Sequence, residues 1–157
     1  MKIILQRVAE ASVSVDGVEV GSISKGYLLL LGVSSSDTET DADKLLEKIA
    51  KLRIFADDNG KTNVSIADVD GELLVVSQFT LYADCKKGNR PSFVDAGDPA
   101  LAEKLYDYFV ECAKTKLKSD KTPLFKKVAQ GVFGASMQLS LTNDGPFTLI
   151  LDTDKKP

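Results

Sequence analysis

Leu73, Leu74, Val75 and Val76 form an unbroken apolar run inside the stretch Glu72 to Asp84, ELLVVSQFTLYAD. A short run of this kind predicts a strand buried on both faces, so the fold must supply a layer on each side of it. Ser77 and Gln78 continue the strand, and Thr80 follows Phe79. Buried polar side chains cost free energy unless they are hydrogen-bonded. Three of them in four positions point to a site; the same residues also suit a strand end emerging into solvent. On a strand, Gln78 and Thr80 would share one face, and Ser77 and Phe79 the other. A Gln amide beside a Thr hydroxyl can bind a carbonyl, or the water that attacks it.

The elements around this strand follow from periodicity. Lys2 to Val8, Ser12 to Val15, Val18 to Ile23 and Tyr27 to Val33 read as strands, with Asp16-Gly17 and Lys25-Gly26 as turns, so the opening third reads as a β-meander. Asp41 to Phe55 places Ala42, Leu45, Leu46, Ile49 and Leu52 at helical spacing. Val64 to Val69 reads as an edge segment that could pair with Glu72 to Thr80 through the Asp70-Gly71 turn. Asp98-Pro99 opens a second helix running to about Leu117, with Leu101, Leu105, Tyr108, Phe109, Cys112 and Ala113 as its buried stripe. A Lys-rich connector spans Ser119 to Lys127, and Gln130 to Gly134 is a glycine-bracketed loop. Ala135 to Leu141 alternates as a strand, Asn143-Asp144-Gly145-Pro146 reads as a tight turn, and Leu149 to Asp152 is the last strand. The fold class is α+β. A β-rich single domain spans residues 1–157, with 153–157 as a loose tail. Two sheet layers or a partly closed barrel, of roughly eight strands, carry two main helices.

Composition narrows the chemistry. The 157 residues contain no histidine and two cysteines. Ser-His and Cys-His nucleophilic pairs, His general bases and ordinary zinc sites are therefore excluded. An enzyme built this way works with carboxylates, lysines, hydroxyls, backbone dipoles or groups on its own substrate, and no cofactor or metal is expected. No apolar run is long enough to cross a membrane. Met1 to Ala9 reads as a strand rather than a signal peptide, so cytoplasmic placement and free thiols are expected. A net charge of −3 argues against a general nucleic-acid binder, yet leaves room for a local basic patch. Lys86, Lys87 and Arg90 beside Phe93 could form such a patch, a phosphate-facing lip next to the strand end, or simply a solvated loop. Thr80 as a nucleophile has no activating base near it in sequence.

Taken together, Gln6-Arg7-Val8, Leu52-Arg53-Ile54-Phe55, Ser77-Gln78-Phe79-Thr80-Leu81, Gly88-Asn89-Arg90-Pro91-Ser92-Phe93, Phe133-Gly134 with Met137, and Asn143-Asp144-Gly145-Pro146 with Thr148 resemble the D-aminoacyl-tRNA deacylases, also called D-Tyr-tRNA deacylases. The match covers nearly the whole chain and departs from the family's usual pattern at Val132 and Phe147. The resemblance implies an esterase that frees D-amino acids, or glycine mischarged on tRNA-Ala, from the 3′ end of tRNA and leaves L-aminoacyl-tRNA alone. It implies a homodimer in which a cis Gly145-Pro146 enters the partner's site, excludes L side chains and is held by Arg7. Phe133 would line the adenine pocket and Met137 the amino-acid side. Ser77, Gln78, Phe79 and Thr80 would form the catalytic segment, and Lys86, Lys87 and Arg90 would meet the tRNA. Main-chain N–H groups near Phe79 and the substrate's own 2′-hydroxyl suit a histidine-free site better than a covalent Thr80 intermediate. Two other readings stay open: a sister editing enzyme acting on mischarged L-aminoacyl-tRNA, and a non-catalytic nucleic-acid-binding protein on the same fold.

Overall fold

A computed structural model describes residues 1–116, 118 and 120–153. Eight strands and two helices follow in the order β1 (Lys2–Val15), β2 (Val18–Ile23), β3 (Gly26–Gly32), α1 (Glu39–Lys51), β4 (Arg53–Ala56), β5 (Thr62–Ser65), β6 (Glu72–Ser77), α2 (Pro99–Thr115), β7 (Val128–Gln130) and β8 (Gln138–Asp152). No helix among the described residues is long and apolar enough to cross a membrane.

The main sheet is organised around β1, which is one continuous strand and not the two short ones expected. Its first half pairs with β3, its second half with β2, and β8 runs antiparallel along its whole length. The order β2-β1-β3-β6-β7 therefore replaces the expected meander, because a strand of 14 residues is long enough to take two partners end to end on one side. The sheet curls until β2 meets β7: a Cβ on Gly21 would stand 2.8 Å from the Gln130 carbonyl oxygen. Of the two expected architectures, the nearly closed barrel is the one formed.

The strand β6 is buried from Glu72 to Val76, as its unbroken apolar run predicts. Alternate residues face two layers. Leu73 and Val75 join Ile3, Leu5, Leu29 and Leu31 beneath α1 and α2. Leu74 and Val76 join Val8, Val13, Leu28 and Ala129 inside the curled sheet. β6 pairs in parallel with both β3 and β7. The β3 and β6 backbones come together so closely that a Cβ on Gly26 would lie 1.8 Å from the Glu72 carbonyl oxygen.

Several boundaries differ from expectation. The expected Val64–Val69 hairpin with β6 does not form; β5 pairs with β4, and Ala67–Val69 is a 3-10 turn. The first helix stops at Lys51, because Arg53–Ala56 leave it to make that small second sheet. Leu52 is accordingly its C-cap rather than part of its buried face. The second helix ends at Thr115, and Leu117 and Ser119 lie outside the described residues. Its buried stripe is Ala102, Leu105, Tyr106, Phe109, Val110 and Ala113, rotated from the one expected. Thr153 is tied down, its N–H donating to the Met1 carbonyl at 3.0 Å, whereas residues 154–157 lie outside the described set. At the same seam the Met1 ammonium pairs with Asp37 in the interior.

Candidate active site

The main sheet opens into a cavity of about 540 Å³ at the C-terminal ends of β3 and β6. Leu31 and Val33 come from β3 and its extension, and Val76, Ser77, Gln78 and Phe79 from β6 and the turn after it. Pro99, Ala102 and Tyr106 of α2 form one side, and Phe133, Gly134, Ala135, Met137 and Leu139 the other. Five sequence-predicted residues, Ser77, Gln78, Phe79, Phe133 and Met137, thus meet around one cavity.

The strand does not continue through Thr80. Ser77 ends β6, and Phe79–Tyr82 winds into a 3-10 turn with Gln78 as its N-cap. The expected alternation of Gln78 and Thr80 against Ser77 and Phe79 is therefore replaced by a corner. The Gln78 side-chain amide donates to the Thr80 hydroxyl, and Thr80 is exposed and outside the cavity lining. The amides that open a helical turn have no partner within it, so the turn itself does not engage the Phe79 and Thr80 N–H groups at this corner. The Gln78 amide itself is taken by the Leu31 carbonyl at 2.8 Å, which ties the corner to β3.

Tyr106 is the wall residue that the helical reading missed. Its hydroxyl donates to the Val75 carbonyl at 2.9 Å, with the Gly131 carbonyl at 3.4 Å. It thereby joins α2 to β6 and to the loop carrying Phe133, whose ring lies 5.8 Å away. Burial pushes this hydroxyl far above the ordinary phenol range, so it stays protonated and remains a donor. The only available signal was the phase of α2, which placed Tyr108 inward. Tyr108 instead lies at the edge, its hydroxyl 3.2 Å from Asp43.

Gly145, Pro146 and Arg7 lie elsewhere. Thr148 pairs with Gln6 and Asn143 with Val8, so five steps along β8 pass two along β1. The intervening segment is a bulge in a strand that keeps its direction, not the tight turn expected from its composition. Its Gly145–Pro146 peptide is cis. The Asn143 side chain closes the bulge by accepting the Phe147 N–H at 2.8 Å. Arg7 braces it: Nε donates to the Asp144 carbonyl at 3.0 Å and lies 3.2 Å from its carboxylate, while the guanidinium sits 4.9 Å from the centre of the Phe147 ring. A second Arg7 nitrogen donates to the Ile54 carbonyl. Arg7 is opposite Tyr27 on β3, four residues before Leu31 in the cavity wall. At strand rise that is an offset of ~13 Å along β3, and neither Gly145 nor Pro146 is among the residues lining the cavity.

Lys86, Lys87 and Arg90 lie on the exposed loop after the corner. Reciprocal backbone hydrogen bonds of 2.8 and 2.9 Å between Asp84 and Ser92 close this loop. Among the described residues there is no cluster of His, Cys, Asp and Glu able to hold a metal.

The model of the family described as D-Tyr-tRNA(Tyr) deacylase matches residues 4–152. The chain belongs to this family. A D-aminoacyl-tRNA deacylase of Lacticaseibacillus casei (strain BL23) is 51% identical over 156 residues, covering 99% of this chain and 100% of the relative. One of Thermosipho melanesiensis is 50% identical, with 99% of each chain covered. Among solved structures, one described as c-Myc DNA Unwinding Element Binding Protein superposes with a TM-score of 0.87 at 38% identity, covering 99% of this chain and all of the other. A probable eukaryotic D-amino acid tRNA deacylase shares the fold, with a TM-score of 0.77 at 17% identity over 96% of this chain and 97% of its own. The barrel described above is thus a fold that deacylase relatives share, at nearly the same chain length.

Proposed function

We propose that this chain hydrolyses the ester linking a D-amino acid, or glycine mischarged on tRNA-Ala, to the 3′-terminal adenosine of tRNA, and that it rejects L-aminoacyl-tRNA. It is a hydrolase of ester bonds by its family. The observation that carries the finer reading is the cavity that gathers Ser77–Phe79 with Phe133 and Met137. Its volume falls within the range of small-molecule sites and suits an aminoacyl-adenosine end.

In this reading Phe133 packs on adenine and Met137 borders the amino-acid side. Water attacks the ester carbonyl, and the developing oxyanion is met by the main-chain N–H groups at the Phe79 corner. The adjacent 2′-hydroxyl of the substrate orients the water and relays its proton. The carbonyl–O3′ bond then breaks, the ribose oxygen takes a proton, and the free amino acid departs. An aminoacyl ester is labile, so positioning and oxyanion stabilisation suffice without histidine. This reading does not use Thr80 as the nucleophile: its hydroxyl accepts from the Gln78 amide, and Thr80 is outside the cavity lining.

Chirality is read by the Gly145–Pro146 bulge of a second copy. Two observations support this: Gly145 and Pro146 do not line the cavity of their own chain, and among the described residues β8 pairs on one side only, with β1. Main-chain carbonyls of the inserted bulge would hold the substrate's α-amino group and leave no room for an L side chain. Lys86, Lys87 and Arg90 would meet phosphates of the acceptor end, in the cytosol where translation runs.

Purified protein incubated with D-Tyr-tRNA, L-Tyr-tRNA and Gly-tRNA-Ala should release D-tyrosine and glycine and spare the L ester. Equal rates for both hands, or no release from the D form, would refute the proposal. Likeness to a protein described as binding a DNA unwinding element, at 38% identity, favours a second reading, non-catalytic nucleic-acid binding. Tight binding of charged tRNA without any release is the outcome that would select it.

A further inference from the structure

Phe79 and Phe93 form an aromatic lip that the hydrolytic reading leaves unused. Their ring centroids are 4.9 Å apart in an edge-to-face arrangement, yet Phe79 is 57% and Phe93 38% exposed. Val94, next to them, is 84% exposed. Phe79 lines the cavity, so the pair stands at its mouth. An edge-to-face pair leaves at least one face of each ring free of the other.

The lip is held in place rather than loose. Asp84 and Ser92 pair just before Phe93, the Ala96 N–H donates to the Phe93 carbonyl at 3.1 Å, and the Gly97 N–H donates to the Val33 carbonyl at 2.9 Å. The loop from Asp84 to Asp95 carries Lys86, Lys87 and Arg90 against its two flanking aspartates, a local positive balance within a chain of net charge −3. Exposed aromatic rings beside cations on a braced loop are the chemistry of a single-stranded nucleic-acid platform: bases stack while phosphates meet the charges. A protein partner would leave the local positive charge unexplained, since the rest of the surface is acidic in balance.

We infer that Phe93, propped by Phe79, stacks on the unpaired base that precedes the terminal adenosine of the tRNA. This rests on the proposed esterase reading and adds a residue that extends recognition beyond the aminoacyl-adenosine unit.

The test compares kcat/KM for two D-tyrosyl esters, one on adenosine and one on the trinucleotide cytidine-cytidine-adenosine. Stacking of one base is worth about fivefold to about 150-fold in affinity, so the wild type should favour the trinucleotide by at least about fivefold, mainly through KM. Phe93→Ala should lower that ratio by at least about fivefold, leaving only what the phosphates contribute, and Phe93→Tyr should keep it. A wild-type ratio near one, a ratio retained by Phe93→Ala, or a ratio lost equally in Phe93→Tyr would overturn the inference. A wild type that cleaves neither ester would overturn the esterase reading, and this inference with it.

Discussion

Two buried tyrosines make opposite predictions from the same hydroxyl group. Tyr106 donates to main-chain carbonyls of β6 and the Phe133 loop, whereas Tyr27, stacked on Phe55, has no hydrogen-bond partner for its hydroxyl among the described residues. A buried polar group left unpaired costs about 1–3 kcal/mol, while a made hydrogen bond contributes about 0.5–1.5 kcal/mol. Tyr106→Phe should therefore lower Tm by a few degrees, and Tyr27→Phe should leave it unchanged or raise it. Thermal denaturation of both variants reads this; a larger loss for Tyr27→Phe would contradict the assignment. At Thr80 the expectation is chemical. Thr80→Ala should keep D-Tyr-tRNA deacylation within about tenfold of wild type, because positioning and the oxyanion site supply the rate. Complete loss with intact fold and tRNA binding would restore Thr80 as a nucleophile. Ser77 and Gln78 are legible in the sequence because polar residues after a two-sided apolar strand demand a reason, whereas Phe79 enters through the family resemblance. The turn that exposes Thr80 is not legible, since a strand and a 3-10 corner can share the same short pattern. Tyr106 was missed because one step of helical phase decides which of two nearby tyrosines faces the cavity.

At the scale of elements, α1 and the β8 bulge show what local chemistry does and does not decide. Thr38 caps α1, and the Asp41 carboxylate accepts from the Thr38 N–H at 3.0 Å and hydroxyl at 2.8 Å. Partial burial raises the Asp41 pKa, but the Thr38 hydrogen bonds outweigh it and hold the carboxyl below the usual carboxylate value. Because the folded pKa is the lower one, this contribution to stability is complete above the unfolded value near 4 and is lost as pH falls through the folded one. Asp41→Asn should thus destabilise at neutral pH, with the difference from wild type shrinking in acid, as urea melts at several pH values would show. Asn-Asp-Gly-Pro by contrast suggests a turn by composition, yet β8 continues past it because β1 offers partners on both sides of the bulge. Long-range pairing outvoted local propensity there, as it did at β7, whose three residues follow directly on a Lys-rich connector. Gly145 sits at φ 139°, and a Cβ there would stand 2.8 Å from the Phe147 nitrogen. Gly145→Ala should shift the bulge at a cost of about 1–3 kcal/mol and weaken discrimination between D- and L-Tyr-tRNA more than it weakens folding. Unaltered chirality in Gly145→Ala with Pro146→Ala would rule out the filter role.

For the whole molecule, the proposed shared site turns on where its two halves lie within one chain. The cavity lies at one end of β3, and the Arg7-braced bulge lies beside the other end. A barrel whose long strand β8 is paired on one side among the described residues offers an edge that a second copy can cover. The α+β class is readable from many strand patterns with two amphipathic helices, whereas the choice of a barrel over two layers depends on closure at Gly21 and Gln130, a contact far apart in sequence. Subunit mixing tests the shared site most directly. One chain carries Gly145→Ala with Pro146→Ala, and the other carries Ala135→Trp to fill the cavity. Each variant alone should be defective in D-specific deacylation of Tyr-tRNA. Co-refolded together, they should recover a substantial part of it, because one of the two sites in a mixed dimer joins an intact cavity to an intact bulge. Absence of recovery from a mixed dimer shown to have formed, or full D-specific activity from a monomer, would contradict the shared site.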